Sequence, residues 1–239
     1  MRYLIRFKYD GTKFHGFQRQ NDLKNVQGTL ESILSNYLDE KIVIKGAGRT
    51  DAGVHALDQC AHFDTNKELN NRILKRINEK IEPDLEITSI KKVQNNFHAR
   101  HSVKEKTYIY RIVNGTLSDG QIGYYYQVKK MLDIKKMKET CKLFVGKHDF
   151  QNYVSGKRDD YTSIIYDVRL MVKNNIIEIK FRGIGFYRYM VRHLVGAIVD
   201  VGKNRIDISE VKYLLDNPQI DKKLSVAPAC GLYLTKIVY

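Results

Sequence analysis

The stretch that decides the fold lies at residues 164–182 and has the sequence Ile-Ile-Tyr-Asp-Val-Arg-Leu-Met-Val-Lys-Asn-Asn-Ile-Ile-Glu-Ile-Lys-Phe-Arg. Its two apolar-rich runs, 164–172 and 176–182, predict a pair of strands. The Lys-Asn-Asn between them suits a tight turn, because asparagine tolerates left-handed backbone geometry. The stretch therefore predicts two antiparallel strands that are neighbours in a sheet.

Outside this hairpin, the chain alternates between predicted strands and predicted helices. Further strands are predicted at residues 2–9, 41–46, 58–64, 85–93, 105–113 and 232–238. Helices are predicted at residues 26–38, 187–201 and 208–216, over a segment marked by Ile73, Ile77 and Ile81, and from about residue 133 onward. This order lacks the regular spacing of a parallel βαβ sheet, so it predicts an α+β fold with a mixed, mostly antiparallel sheet.

The length and the apolar content permit a folded core. The chain has 239 residues, of which 43% are hydrophobic, enough for one large domain or two small ones. Its apolar runs are too short to span a membrane, and residues 1–7 alternate like a strand rather than forming a secretion signal. We therefore expect a cytoplasmic protein.

The chain is strongly basic. Lys and Arg number 41 against 27 Asp and Glu, which gives a net charge of +14 and a pI near 9.5. This charge attracts polyanions, so it favours a nucleic acid as the partner, with an anionic membrane surface as the second candidate. A Lys-rich genome would produce the same charge without either partner.

Residues 128–144 concentrate part of this charge on one predicted helix. Apolar residues recur there at helical spacing and predict a buried stripe. The lysines fall on the remaining surface: Lys129, Lys130, Lys135, Lys136, Lys138 and Lys142. This pattern fits a solvated face and a surface for RNA phosphates equally well.

The sequence lacks the patterns of several common chemistries. Cys60, Cys141 and Cys230 are widely spaced and form no Cys-x-x-Cys pair, so neither a zinc site nor a disulfide framework is predicted. The histidines lack a metal-ligand spacing, and no complete dinucleotide or phosphate-binding glycine pattern occurs. A reaction without a metal or a nucleotide cofactor is what the sequence favours.

The loop at residues 46–53 offers room for chemistry. Asp51 lies between small residues, and Arg49 is two positions earlier. One carboxylate and one guanidinium in an uncrowded loop can perform nucleophilic or acid–base work. A tight turn in which Asp51 only caps backbone amides would have the same sequence, so the residues of the loop alone leave both interpretations open.

This loop is also the centre of a resemblance. Residues 48–56, Gly-Arg-Thr-Asp-Ala-Gly-Val-His-Ala, resemble the signature of the TruA family of tRNA pseudouridine synthases. Further segments match the family in the same order along the chain: residues 9–20, 26–31, 97–100, 106–111, 146–150, 190–196 and 227–234. The resemblance covers essentially the whole chain and favours the catalytic interpretation of Asp51.

The resemblance implies a reaction on uridine in RNA. The N-glycosidic bond breaks, the base rotates and it rejoins the sugar through carbon 5, with no cofactor and no metal. Asp51 matches the catalytic aspartate, and Arg192 matches the arginine whose ion pair keeps it ionised. Tyr108 matches the tyrosine that stacks on the target base and is a candidate for moving the carbon-5 proton. Attack on the sugar, attack on the base and assisted glycal formation all stay open for Asp51.

The resemblance also implies contacts with RNA. We expect Arg49 to contact the RNA around the flipped nucleotide, and Leu232 to lie beneath the base as an apolar floor that excludes water. Further RNA contacts are assigned to Arg19, His55 and Arg100.

The same resemblance implies an organisation and a substrate. We expect two α/β halves that share the sheet, with residues 1–104 carrying the catalytic loop and residues 105–239 completing a central basic cleft. The family acts as a homodimer on the anticodon stem-loop of tRNA, at positions 38–40. We therefore expect tRNA and a second copy of the chain as partners.

The chain departs from the family pattern near residues 154–166. Residues 160–166 lack the arginine of the usual Arg-Thr-Ile-like run, and the loop at residues 154–159 is particular to this chain. The same chemistry at another tRNA position or on ribosomal RNA is therefore an alternative. A non-catalytic RNA-binding or folding protein on the same scaffold and a basic membrane-surface protein are alternatives from other classes.

Overall fold

The computed structural model describes residues 1–20, 22–81, 83–219 and 224–239. The chain divides into two units: unit 1 comprises Met1–Lys104 and Tyr233–Tyr239, and unit 2 comprises Glu105–Leu232. The roles expected for the halves 1–104 and 105–239, with the catalytic loop in the first and the completion of a cleft by the second, stay a prediction.

Strands and helices follow one another in mixed order. The strands are β1 (Arg2–Tyr9), β2 (Lys45–Gly46), β3 (His55–Asp64), β4 (Leu85–Val93), β5 (Glu105–Asn114), β6 (Tyr126–Val128), β7 (Gly146–Asp149), β8 (Thr162–Lys173), β9 (Ile176–Gly183) and β10 (Leu232–Val238). The helices are α1 (Val26–Leu38), α2 (Leu74–Asn78), α3 (Ile134–Leu143), α4 (Met190–Gly202) and α5 (Ile208–Asp216).

Unit 1 is built on strands in the order β4-β1-β3-β10, with β2 paired to β3. β1 is antiparallel to both of its neighbours, so that Ile5 lies opposite Ala61 and Ile90. β10 runs parallel to β3, with Tyr233 opposite His55. The last strand therefore lies beside the strand that follows the Asp51 loop.

Helix α1 forms where the sequence predicts it. Its apolar residues recur every four positions and are buried: Val26, Leu30, Leu34 and Leu38. The Asn25 side chain accepts a hydrogen bond from Gly28 N at 2.8 Å, which satisfies an amide of the first turn. The predicted helix at residues 26–38 is confirmed.

The strand predicted at residues 41–46 is shorter than expected, because only Lys45–Gly46 pairs with β3. Two preceding amides bind side chains of α1 instead. Ile42 N donates to Ser35 Oγ at 2.9 Å, and Ile44 N donates to Glu31 Oε1 at 3.0 Å. The prediction for residues 41–44 is therefore wrong, since polar side chains of α1 satisfy amides that a strand partner would otherwise satisfy.

Unit 2 is built on antiparallel strands in the order β5-β9-β8-β7, with β6 parallel to β5. The predicted hairpin is the β8–β9 pair, and Asn174 in its turn has φ 56°. Parallel and antiparallel pairs occur in both units, and the antiparallel ones dominate. The predicted α+β class with mixed, mostly antiparallel pairing is confirmed.

The helix bounds differ from the predictions at two places. Helix α4 begins at Met190 rather than at residue 187, because Tyr189 adopts a left-handed backbone conformation with φ 61°. Helix α2 ends at Asn78, so Ile81 lies outside the helix although it is buried. Among the residues that the structure describes, none of the helices combines the length and the apolar character needed to cross a membrane.

Candidate active site

Asp51 lies in the loop of residues 47–54, which joins β2 to β3. Phe17 N donates to Thr50 O at 3.1 Å, and Val54 N donates to Asp51 O at 3.2 Å and closes a turn. The Asp51 residue is half-buried. Its backbone is therefore held at a fixed place, which a catalytic carboxylate requires.

Buried side chains hold the same loop from the core. The fully buried Gln59 donates from Nε2 to Gly48 O at 3.2 Å. Tyr9 OH and Thr50 Oγ1 share a buried hydrogen bond of 2.8 Å. Burial raises the pKa of Tyr9 to about 12, so its phenol keeps its proton even at an alkaline pH at which an exposed tyrosine begins to lose it. The residue before Asp51 is thus anchored to β1.

The segment of residues 11–17 packs against the loop so closely that two glycines are required. A Cβ on Gly11 would lie 2.3 Å from Val54 O. Gly16 has φ +89°, and a Cβ there would lie 3.1 Å from Thr50 O and 3.3 Å from Ala52 N. These approaches leave no room for a side chain between the segment and the loop, so the segment fixes the position of the loop.

The predicted RNA-binding arginines of unit 1 are all exposed. Arg49 lies on the Asp51 loop, and Arg100 lies in the connection after β4. Arg19 forms an ion pair with the buried Glu31 at 2.9 Å between Nη1 and Oε2. Their exposure leaves guanidinium surface accessible to a ligand, and their role as RNA contacts stays a prediction.

His55 differs from these arginines because it is only 2% exposed. Its Nδ1 accepts a hydrogen bond from Gly11 N at 3.1 Å. Its ring stacks on Tyr233, with centroids 4.5 Å apart and planes at 13°. These contacts anchor the end of the Asp51 loop to the segment of residues 11–17 and to β10, and an RNA contact of His55 stays a prediction.

Tyr108, the predicted base-stacking residue, lies on β5 in unit 2. It is 8% exposed and packs edge-on against Phe186, with ring centroids 5.2 Å apart. Tyr110 shares the face of Tyr108, since alternate residues of a strand point the same way. Tyr110 OH donates to Pro228 O at 2.7 Å. The segment that leads to Leu232 therefore lies on the face of β5 that carries Tyr108.

Arg192 lies on α4 and is bonded twice to the same segment. Its Nε donates to Ala227 O at 2.7 Å, and Ala227 N donates to Arg192 O at 3.0 Å. Leu232 follows at the start of β10 and is 6% exposed. Three sequence segments that resemble the family, on β5, on α4 and at residues 227–234, thus meet through contacts within unit 2.

Sequence reasoning gave no individual role to three residues that shape these sites: Tyr9, Thr50 and Tyr189. The hydrogen bond between Tyr9 and Thr50 joins residues 41 positions apart, so no local pattern could reveal it. A signal existed for Tyr189, because it directly precedes the matched segment of residues 190–196.

In the part of the chain that the structure describes, the other titratable side chains form neither a metal site nor an evidently reactive thiol. In the ranges that the structure describes, no group of three or more His, Cys, Asp or Glu side chains is arranged to hold a metal ion. Cys60 and Cys141 are buried, and burial raises the pKa of the Cys141 thiol to about 12. Cys141 is therefore a packed thiol rather than a reactive one.

The chain matches known proteins over most of its length. The family model for tRNA pseudouridine synthase matches residues 5–102 and 140–239. The chain belongs to the tRNA pseudouridine synthase family. This membership confirms the resemblance that the sequence segments indicated.

Individual relatives match the chain from end to end. The tRNA pseudouridine synthase A of Malacoplasma penetrans is 38% identical over 242 residues, covering 100% of this chain and 100% of the relative. That of Mycoplasma genitalium is 37% identical and covers 100% of this chain and 98% of the relative. The tRNA pseudouridine synthase A 2 of Bacillus cereus strain ZK is 35% identical and covers 99% of each chain.

Proposed function

We propose that this chain isomerises uridine to pseudouridine in tRNA, with Asp51 as the nucleophile. Membership of the tRNA pseudouridine synthase family and full-length relatives named tRNA pseudouridine synthase A support the proposal. The observation that carries it is the Asp51 loop, whose signature sequence lies on a backbone held by contacts from Tyr9, Phe17 and Gln59.

The proposed reaction balances within the substrate. The N1–C1′ bond of the uridine breaks and a C5–C1′ bond forms, while C5 loses a proton and N1 gains one. The base keeps its composition, so the reaction consumes no oxidant or reductant. Asp51 acts by attack on the sugar, by attack on the base or by assisting glycal formation, and each route requires its carboxylate to be ionised.

The other proposed site residues support this step. Arg192 is the cation that keeps Asp51 ionised. Tyr108 stacks on the target base and is the candidate for moving the C5 proton. Leu232 supplies the apolar floor, and its burial suits a site from which water is excluded. Arg49, exposed beside Asp51, contacts the RNA around the flipped nucleotide.

Tritium release from tRNA that carries 5-tritiated uridine tests this proposal, because the C5 proton leaves in the reaction. We expect release by the wild type and a loss of roughly 10³-fold or more in Asp51→Asn. Glu68→Gln, which neutralises an exposed carboxylate in the same unit, should retain wild-type release. Thermal unfolding of each variant checks that it is folded.

Two outcomes would contradict the proposal. Equal release by the wild type and by Asp51→Asn would remove Asp51 from the mechanism. Retention of tRNA by a wild type that releases no tritium would favour a non-catalytic RNA-binding protein on the same scaffold.

The proposed substrate site is the anticodon stem-loop, at positions 38–40. Uridines there are stacked in a helix, so the enzyme must extrude its target at a cost of about a few kcal/mol. We place the enzyme in the cytoplasm with its tRNA and propose a homodimer that grips the RNA with both subunits. Light scattering should then give a mass of twice 27.9 kDa in solution, and a monomer at working concentrations would contradict the dimer.

Another tRNA position or a site in ribosomal RNA is the second candidate substrate, because the chain departs from the family pattern around residues 154–163. There the Arg158 guanidinium lies 4.2 Å from the Tyr187 ring, and Tyr161 OH donates to Gly156 O at 3.2 Å. Mapping of pseudouridines across the transcriptome of a deletion strain separates the two cases. Loss at tRNA positions 38–40 supports the proposal, whereas loss at a ribosomal site alone leaves the chemistry and changes the substrate.

A further inference from the structure

Tyr189 has a backbone conformation that aromatic residues seldom adopt. It precedes the first residue of α4 with φ 61° and ψ −3°, and its side chain makes no capping hydrogen bond. A left-handed conformation is unfavourable for a residue with a Cβ, and Ser, Thr, Asp or Asn would satisfy the helix start better. Neither the backbone conformation nor helix capping explains a tyrosine at this position, so the contacts of its side chain must explain it.

The Tyr189 ring lies close to two guanidinium groups. The Cζ atom of Arg192 is 4.7 Å from the ring centroid, and the Cζ atom of Arg188 is 5.2 Å from it. Arg188 is exposed, whereas Arg192 is half-buried. The attraction of a cation to an aromatic ring is stronger where water is partly excluded, so the ring acts mainly on Arg192.

Arg192 is therefore held from two directions. Its Nε donates to Ala227 O at 2.7 Å, which fixes one edge of the guanidinium. The Tyr189 ring restricts rotation of the guanidinium about that bond. A guanidinium pairs with a carboxylate through two directed N–H groups, so its orientation decides whether the pair is bidentate.

We propose that Tyr189 is a positioning residue, which holds the Arg192 guanidinium in the orientation that the proposed role of Arg192 requires. This inference rests on the proposed function and adds a residue to it. Because Tyr189 acts through Arg192 on the chemical step, its loss should lower kcat and leave RNA binding intact.

Tyr189→Gly and Tyr189→Phe test the proposal in the full-length enzyme. Glycine fits the left-handed backbone, and the relief of strain offsets the lost ring contacts, so Tyr189→Gly should unfold near the wild-type temperature. Its kcat for tritium release should nevertheless fall about 10-fold, with KM within about 2-fold of wild type. Tyr189→Phe keeps the ring and should retain kcat within about 2-fold.

Two further variants identify the guanidinium through which the ring acts. Arg188→Ala removes the other cation near the ring and should keep the wild-type kcat. In an Arg192→Gln background, Tyr189→Gly should cause no further loss, because the group that it positions is gone.

The inference is overturned by a wild-type kcat in Tyr189→Gly, by an effect on KM alone, or by an equal effect in the Arg192→Gln background. A loss of kcat that follows a lowered unfolding temperature would likewise mean a structural role. A wild type that releases no tritium would instead refute the proposed function itself, so the two failures are distinguishable.

Discussion

At the scale of single residues, buried His62 couples the stability of unit 1 to pH. Its Nδ1 accepts a hydrogen bond from Ala99 N at 3.1 Å, which requires the neutral ring. Burial lowers the pKa of His62 from 6.5 to about 4, assisted by neighbouring positive groups and opposed by one carboxylate. The positive neighbours are His98, Arg2 and Lys45, and the carboxylate is Asp64.

The sign of the effect follows from the lowered pKa. Between pH 6.5 and about 4 the unfolded chain binds a proton at His62 that the folded chain does not. The free energy of unfolding should therefore fall as the pH drops from 7 to 5, by about 2 kcal/mol through this group. Urea unfolding at several pH values measures it. His62→Asn, which retains an acceptor, should flatten the dependence, and an unchanged slope would refute the assignment.

At the scale of elements, the segment of residues 11–17 should control the Asp51 loop. In Gly16→Ala the new methyl group meets Thr50 O at 3.1 Å and Ala52 N at 3.3 Å, on a backbone with φ +89°. We expect the loop to shift, since neighbouring backbone cannot yield as a flexible side chain does. The kcat of the folded enzyme should fall at least about 10-fold, because small displacements of catalytic groups cost that much.

Gly115→Ala is the matched control for this variant. Gly115 also has a positive φ of +145°, but its added Cβ would meet only Asn175 Nδ2 at 3.8 Å. Both variants should lower the midpoint of urea unfolding through backbone strain. Only Gly16→Ala should lower kcat, and an equal loss in both would mean that general destabilisation is responsible.

The same scale shows which elements the sequence could predict. Helix α1 and the β8–β9 hairpin were predicted because their periodicity and turn residues lie within each element. The strand predicted at residues 41–44 does not form, because Ser35 and Glu31 of α1 bind amides of this segment. The start of α4 was misplaced because Tyr189 adopts a left-handed backbone conformation, which its residue type does not indicate.

The candidate site could be predicted from the sequence only in part, again because contacts between distant residues shape it. Residues 46–53 alone fit a turn as well as a nucleophile, and only segments along the whole chain favoured Asp51 as catalytic. The supports of the loop, Tyr9 and Gln59, act through hydrogen bonds to Thr50 and Gly48 over long sequence separations. Such contacts depend on strand pairing, which periodicity does not specify.

At the scale of the whole molecule, the net charge of +14 has to be neutralised by a partner or by counterions. The lysines near α3 fall into two classes. Lys130 Nζ donates to Lys203 O and Lys136 Nζ donates to Asn204 Oδ1, each at 2.7 Å, so both hold the end of α4. Three further lysines of α3 are exposed and lie on one face of the helix, at spacings of three and four residues: Lys135, Lys138 and Lys142.

This face carries three lysines and one exposed glutamate, Glu139, so its net positive charge can bind a phosphate backbone. We therefore expect the exposed lysines to contact RNA. Changing all three to Gln should raise KM for tRNA and lower the slope of log KM against log salt by about 1 for each phosphate that is no longer bound. The KM should be measured from about 50 to about 200 mM KCl, where such contacts weaken steeply.

The matched control is the double variant Lys130→Gln with Lys136→Gln, at or near the start of the same helix. It should lower the unfolding temperature and leave the slope unchanged. An unchanged slope in the triple variant would identify this face as merely solvated.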